Sequence, residues 1–223
     1  MIKKFDSYLD KLLFSYAKPK VFSSTTEPKN LDIIKDEIVA YFNSDQWYAD
    51  IQIQLNEATA YITNEQKPNS CVVLDIDDTM VTEYYYALSN DFAWTETIIN
   101  QSNTLTNFPV IKPVYNFYNW CLGKQLPIYI ISSKREKYRP YAIELLGNAG
   151  YLGYMEMILR PDNDTQTIAE FKNNERNKLV SQGLEILCNI GDQDSDLYVT
   201  EKNNNTIHPI KLPNPLYHIS EKV

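Results

Sequence analysis

Short runs that are apolar nearly from end to end alternate with longer stretches of helical periodicity. No other feature limits the folds open to this chain so strongly. The runs are CVVLD at 71–75, LPIYIIS at 126–132, LEILCNIGD at 184–192 and a weaker one, MEMILR, at 155–160. Helical patterns fill the intervals at 110–124, 136–148 and 168–182. A strand apolar on both faces has to be covered on both faces. Strands that alternate with helices pair in parallel. The expected class is therefore α/β, a Rossmann-like parallel sheet with helices on both faces.

Upstream of the first run the pattern is helical. Asn30 reads as a cap for a helix carrying Leu31, Ile34, Ile38 and Tyr41. Tyr48, Ile51, Leu55, Ala58 and Ile62 mark a second helix. Each has one apolar stripe and should pack on something larger. Residues 1–29 read as an N-terminal extension ending in a polar linker, and 30–223 as a single domain whose helical lead-in spans 30–66.

Charge narrows the function. Among 223 residues, 21 are Lys or Arg and 29 Asp or Glu, a net charge of −8. That balance argues against nucleic acid, whose binding rests on many phosphate contacts, and leaves room for a small phosphorylated substrate. Asp6 and Asp10 interrupt any apolar start, so no signal peptide is read. No run approaches the ~20 apolar residues of a membrane span. Cys71, Cys121 and Cys188 are odd in number and lie in apolar contexts, which reads as reduced core thiols. The expected location is cytoplasmic, with export by a signal-independent route left open. Oligomeric state is not legible.

In sheets of this kind functional groups gather at the carboxyl ends of the strands. The first run ends in Asp75, Asp77 and Asp78, followed by Thr79; the fourth ends in Asp192, Asp194 and Asp196. If these strands are neighbours the carboxylates converge, and two unit charges at 4 Å repel by ~4 kcal/mol at an effective dielectric of 20. A divalent cation relieves this. His208 and His218 are the chain's two histidines and no Cys-x-x-Cys is present, which argues against zinc. An oxygen-only site with room for water fits Mg²⁺. The second run ends in Ser132-Ser133-Lys134-Arg135, and Lys172 lies on the helix before the fourth. A hydroxyl, a lysine and a metal are what a phosphoryl group needs.

These residues resemble the phosphatases of the haloacid dehalogenase (HAD) superfamily. Asp75-Ile76-Asp77-Asp78-Thr79 resembles motif I, Ser132 motif II, Lys172 motif III, and Gly191-Asp192-Gln193-Asp194-Ser195-Asp196 motif IV. Further segments resemble the subfamily III acid phosphatases, the class B and plant-type group. They are Tyr41-Phe42-Asn43-Ser44 with Asp50-Ile51, Phe92-Ala93-Trp94, Phe171-Lys172-x-x-x-Arg176 and Lys211-Leu212-Pro213-Asn214-Pro215-Leu216-Tyr217. The likeness covers about residues 30–219. Asp78 stands where Glu is usual, Glu83 near a position often Asn, and Asn43-Ser44-Asp45 lacks the usual Gly.

The resemblance implies a Mg²⁺-dependent acid phosphatase. Asp75 would be the nucleophile and Asp77 the acid and then the base. Ser132 and Lys172 would take the phosphoryl oxygens. Asp75, the Asp77 main-chain carbonyl and Asp192 would hold the metal, with Thr79 and Asp196 behind them. Asp78 and Asp194 are read as loop residues without a direct role. A phosphotransferase would use the same residues, and storage relatives keep the fold with the nucleophile replaced. The segment 81–107 corresponds to a small cap. Its Tyr84, Tyr85, Tyr86 and Trp94 are candidates to stack on an aromatic or nucleoside monophosphate, although Phe92 and Trp94 read more as packing the cap onto the body. Three successive tyrosines cannot all face inward, so at least one should face the cleft or solvent.

Overall fold

The computed structural model describes residues 28–197 and 207–219. The expected N-terminal extension lies, except for its last two residues, outside them. The chain divides into two compact units, 1–36 and 37–223. In the first, Asn30 Oδ1 accepts from the amide of Asp32 at 3.0 Å and so caps helix α1 (Leu31–Phe42). Everything that follows belongs to the second unit.

Helix α2 (Asp45–Glu65) starts at Ser44, whose hydroxyl accepts from the Gln46 amide at 3.3 Å. It buries Ile51, Leu55, Ala58 and Ile62, as its periodicity requires. The first member of the stripe is Trp47 rather than the expected Tyr48. The indole is buried and donates to the Pro213 carbonyl at 3.4 Å, whereas Tyr48 is 41% exposed. 

The remaining elements are β1 (Ser70–Leu74), α3 (Tyr84–Ser89), α4 (Glu96–Ser102), α5 (Lys112–Gly123), β2 (Ile128–Arg135), α6 (Arg139–Asn148), β3 (Glu156–Arg160), α7 (Ile168–Ser181), β4 (Glu185–Gly191) and β5 (His208–Lys211). Among the described residues they form one parallel sheet of order β3-β2-β1-β4-β5. Val73 on the central strand pairs with Tyr129 on one side and Asn189 on the other.

Alternation along β1 divides the core. Val72 and Leu74 face a large apolar cluster with residues of α2, α5 and α6, while Cys71 and Val73 face Phe171 and Leu179 of α7. Both faces are covered, which is why the strands carry no polar alternation. The three cysteines are buried and unpaired, and burial pushes the Cys71 and Cys188 thiols up to about 12. No helix among the described residues is long and apolar enough to cross a membrane.

Two strand ends differ from the sequence reading. β2 does not close at Ser132. It continues to Arg135, which pairs with Arg160 after a register shift. β5 was not expected, because four residues with a proline carry too little pattern. Pro209 is tolerated there because the strand lies at the sheet edge.

Candidate active site

Asp75 is the residue after β1, and its amide donates to the Ile190 carbonyl of β4 at 3.1 Å. Just beyond, the chain reverses: Asp78 takes a left-handed φ of 51°, and the Met80 amide returns to the Ile76 carbonyl at 2.8 Å. This turn holds Asp75 and Asp77 at the carboxyl edge of the sheet. Asp78 itself is buried. Its Oδ1 accepts from the Glu83 amide at 2.9 Å and from the Thr82 hydroxyl at 3.2 Å, so it builds the turn rather than sitting in a solvated loop. Asp194 is exposed.

Lys172 arrives from α7. That helix begins with a reciprocal cap in which Thr167 Oγ1 accepts from the Glu170 amide at 3.2 Å and Glu170 accepts from the Thr167 amide at 2.8 Å. The next turn buries Phe171 against the sheet and points Lys172 at its edge. Lys172 Nζ donates to Asp75 Oδ1 at 2.6 Å and to Asp196 Oδ1. Burial opposes the Lys172 charge, but Asp196 and Asp75 outweigh it and hold the ammonium above the ordinary lysine range.

Asp192 follows β4. Its Oδ2 accepts from Gln193 Nε2 and Asn214 Nδ2, each at 2.6 Å, and its Oδ1 accepts from the Thr79 hydroxyl at 3.3 Å. Asp196 closes a short 3-10 turn, Asp194–Asp196, and its Oδ2 accepts from the Gln193 amide at 2.9 Å. The turn folds onto Gly191 so closely that a Cβ there would overlap the Asp196 side chain. Arg176 fixes the turn from α7, donating to the Asp196 and Ser195 carbonyls at 3.1 Å each.

Asp75, Asp192 and Asp196 each offer a carboxylate oxygen within 4.8 Å of the others. Burial, above all, raises Asp75 well above the carboxylate range; Lys172 pulls it down while Asp196, Asp192 and Asp77 push it up. Burial and then Asp196 push Asp192 up to about 6, against the hydrogen bonds of Asn214 and Gln193. One ammonium does not neutralise this group. The donors are all oxygens, with no His or Cys among them, and they fit a hard divalent cation.

A second cluster lies on the cap side. Lys134 Nζ stands 3.1 Å from Asp77 Oδ1 and donates to Asn103 Oδ1 at 2.8 Å. Glu83 is 5% exposed and accepts at Oε1 from the Ser102 hydroxyl. Burial first, then the charge of Asp77, pushes Glu83 up to about 7, while Lys134 and Ser102 hold it back.

Asp75, Asp77, Lys172 and Asp192 line a single cleft of about 460 Å³, and Thr79 and Asp196 stand behind them through the bonds given above. Ser132 is fully buried; its hydroxyl accepts from the Lys134 amide at 3.3 Å, and Ser133, Lys134 and Arg135 form that wall. The three cap tyrosines do not line the cleft. Tyr84 is buried and stacks on Phe42, with centroids 4.2 Å apart. Tyr85 is 59% exposed, and the Tyr86 hydroxyl donates to the Ile98 carbonyl at 3.2 Å. Trp94 does line the cleft, edge-to-face with Tyr217 at 5.1 Å. Lys134, at the end of the second apolar run, and Glu83, just beyond the first motif, stand at positions the sequence marks, whereas Ser102 and Asn103 carry no sequence signal that places them in the cleft.

The family model for the HAD superfamily, subfamily IIIB (acid phosphatase), matches residues 10–220. Acid phosphatase 1 of Solanum lycopersicum is 28% identical over 156 residues, 66% of this chain and 58% of that protein, so the match spans little more than half of that relative's length. Vegetative storage protein 1 of Arabidopsis thaliana is 28% identical over 209 residues, covering 85% of this chain and 73% of its own. A stem 28 kDa glycoprotein of Glycine max is 26% identical, with 80% and 72% covered. Among solved structures, the class C acid phosphatase of Bacillus anthracis with tungstate bound superposes with a TM-score of 0.64 at 16% identity, over 84% of this chain and 87% of that one, a likeness of fold. The cytoplasmic expectation is overturned by these plant relatives, whose names, a storage protein and a glycoprotein among them, do not support it.

Proposed function

We propose, from the premise that the chain belongs to subfamily IIIB, the acid phosphatases, of the HAD superfamily, that it hydrolyses phosphomonoesters through a phosphoryl group carried transiently on Asp75. The observation that supports this most is the placement of Asp75. Its Oδ1 is 2.6 Å from a buried lysine, at the cleft wall, with a second carboxylic acid two residues on.

In the first step an Asp75 oxygen attacks phosphorus and the bond to the ester oxygen breaks. Asp77 delivers a proton to that oxygen, so that an alcohol leaves. In the second step Asp77 takes a proton from water, the water oxygen attacks phosphorus, and Asp75 is released with inorganic phosphate. Lys172 gathers charge on the phosphoryl oxygens as it develops. The Ser132 hydroxyl, buried behind the cleft wall and accepting from the Lys134 amide, would give its own proton to a phosphoryl oxygen that reaches it. Magnesium, held by Asp75, the Asp77 carbonyl and Asp192, would supply positive charge against the repulsion between Asp75 and the ester. Asp196, bonded to Lys172 and to the Gln193 amide, keeps the lysine aimed at Asp75. Trp94 and Tyr217 offer an apolar wall to a flat leaving group such as a nucleoside or phenol.

A panel of phosphomonoesters, assayed with Mg²⁺ and with chelator, tests this reading. Metal-dependent release of phosphate is expected, with ³²P trapped on the wild-type protein and not on Asp75→Asn. Absence of hydrolysis across the panel would favour the second reading, a storage or binding protein, which the name of the vegetative storage protein suggests. Added alcohol acceptors and product analysis separate hydrolysis from phosphoryl transfer.

A further inference from the structure

The cap end of the cleft holds a carboxylate that the chemistry above does not use. Glu83 lies just before α3, and Ser102 and Asn103 lie at the end of α4; the two segments meet over Lys134 of β2. Glu83 is 5% exposed, and what exposure it keeps is toward the cleft, whose wall it forms together with Ser102, Asn103 and Lys134. The Ser102 hydroxyl donates to Oε1 and fixes the side chain. Oε2 has no hydrogen-bond partner among the described residues. Lys134 is already engaged by Asn103 Oδ1 at 2.8 Å and Asp77 Oδ1 at 3.1 Å.

Oε2 is therefore the carboxylate oxygen left open to the cleft, where a donor carried by a bound ester can reach it. The acid that meets the ester oxygen is Asp77, and Lys134 joins Asp77 to this end of the cleft. A leaving alcohol on a phosphoryl group at Asp75 that passes Asp77 meets the part of the cleft wall formed by Glu83, Ser102 and Lys134.

We propose that Glu83 is a specificity residue: its free oxygen accepts a hydrogen bond from a hydroxyl or ammonium group carried by the leaving alcohol close to the ester, and its charge turns away alcohols bearing an anionic group. This rests on the phosphomonoesterase reading and adds to it the class of ester preferred. Ser102 is then a positioning residue acting through Oε1. The contact changes no covalent bond and enters neither chemical step. It acts through the difference in transition-state binding between two esters, so it is read as a ratio of kcat/KM values.

The test uses four esters, phosphoethanolamine, glycerol 1-phosphate, propyl phosphate and phosphoglycolate, with p-nitrophenyl phosphate as reference. In the wild-type protein the two donor-bearing esters should exceed propyl phosphate by tenfold or more, and phosphoglycolate should be the poorest. In Glu83→Leu both donor advantages should fall at least fivefold. In Glu83→Gln the phosphoethanolamine advantage should fall at least fivefold and phosphoglycolate should gain on propyl phosphate. Ratios are taken within one preparation, so a reduced folded fraction cancels. Wild-type ratios near one, or variant ratios that move less than fivefold, overturn the inference even if the variants are poorly active. Hydrolysis of p-nitrophenyl phosphate with flat ratios sinks this inference alone, whereas failure to hydrolyse any ester sinks the phosphomonoesterase reading along with it.

Discussion

The Lys134 ammonium lies 3.1 Å from Asp77 Oδ1, so the acid two residues beyond Asp75 is tied by charge to β2 and, through Asn103, to the cap. Asp77→Asn keeps the shape of that side chain but has no proton to give. Activity on alkyl phosphates should fall far more than on p-nitrophenyl phosphate, whose leaving group needs little protonation. Lys134→Gln should show the same pattern more weakly, since Asp77 remains but is no longer held. Equal losses on both substrates would refute the role of Asp77.

Lys172 joins Asp75 to Asp196. Lys172→Met should lower kcat by roughly 10²–10³, the cost of one transition-state electrostatic group. It should also destabilise the protein by about 3 kcal/mol, because the two buried carboxylates lose their partner. Rate assays and urea unfolding check the two effects separately. Full activity in this variant would remove Lys172 from the site.

Asp192 is held by Asn214, Gln193 and Thr79 before any cation arrives. Asp192→Asn should cut activity steeply at low Mg²⁺ and recover part of it at high Mg²⁺. Asn214→Ala, which leaves the carboxylate in place but less fixed, should cost roughly 10-fold in metal affinity. Isothermal titration with Mg²⁺ measures both. An unchanged affinity in Asp192→Asn would rule out the assigned ligand.

Burial first of all pushes Glu83 up to about 7 and Asp192 up to about 6 in the fold, against values near 4 in an unfolded chain. Between those values the folded protein binds more protons than the unfolded one, so without a cation stability falls as pH rises through that window. The metal-free Tm should be higher at pH 5 than at pH 7.5. Mg²⁺ should raise Tm more at pH 7.5, because it binds the deprotonated ligands. Scanning calorimetry in four conditions decides it; an equal Mg²⁺ shift at both pH values would contradict the charge crowding inferred at the site.

The cap tyrosines should separate by stability rather than by substrate. Tyr84→Ala removes a buried ring stacked 4.2 Å from Phe42 and should cost ~3–5 kcal/mol. Tyr85, 59% exposed, should cost within about 0.5 kcal/mol. Neither should alter the ratio of nucleotide to glycerol phosphate hydrolysis, while Trp94→Ala should lower it. A selective loss in Tyr85→Ala would place that ring at the substrate after all.

Four of the strands and the main carboxylates were legible because full burial leaves a mark. A run such as Cys71 to Leu74 has no polar face, and a carboxylate directly after it has little purpose but chemistry. What escaped notice lacks that mark. β5 is four residues with a proline, held by pairing to β4. β2 looks finished at Ser132 because polar residues follow, yet the ladder to β3 continues without apolar burial. Trp47 and Tyr48 are adjacent aromatics, and tertiary contacts of Trp47, the bond to Pro213 and the Phe42 ring 4.6 Å away, decide which one faces in. Ser102 and Asn103 carry no mark of their own and join the cleft wall only through the folding of the cap.

The order β3-β2-β1-β4-β5 also has a kinetic consequence. The Lys172–Asp75 bond joins residues 97 apart in sequence and the Thr79–Asp192 bond residues 113 apart. Contacts of such separation form slowly, since long loops must close first. A nascent chain that has emerged only through β3 possesses Asp75 and Asp77 but neither Lys172 nor Asp192. Turnover therefore begins only after β4 has inserted beside β1, and the onset of activity during refolding times that insertion.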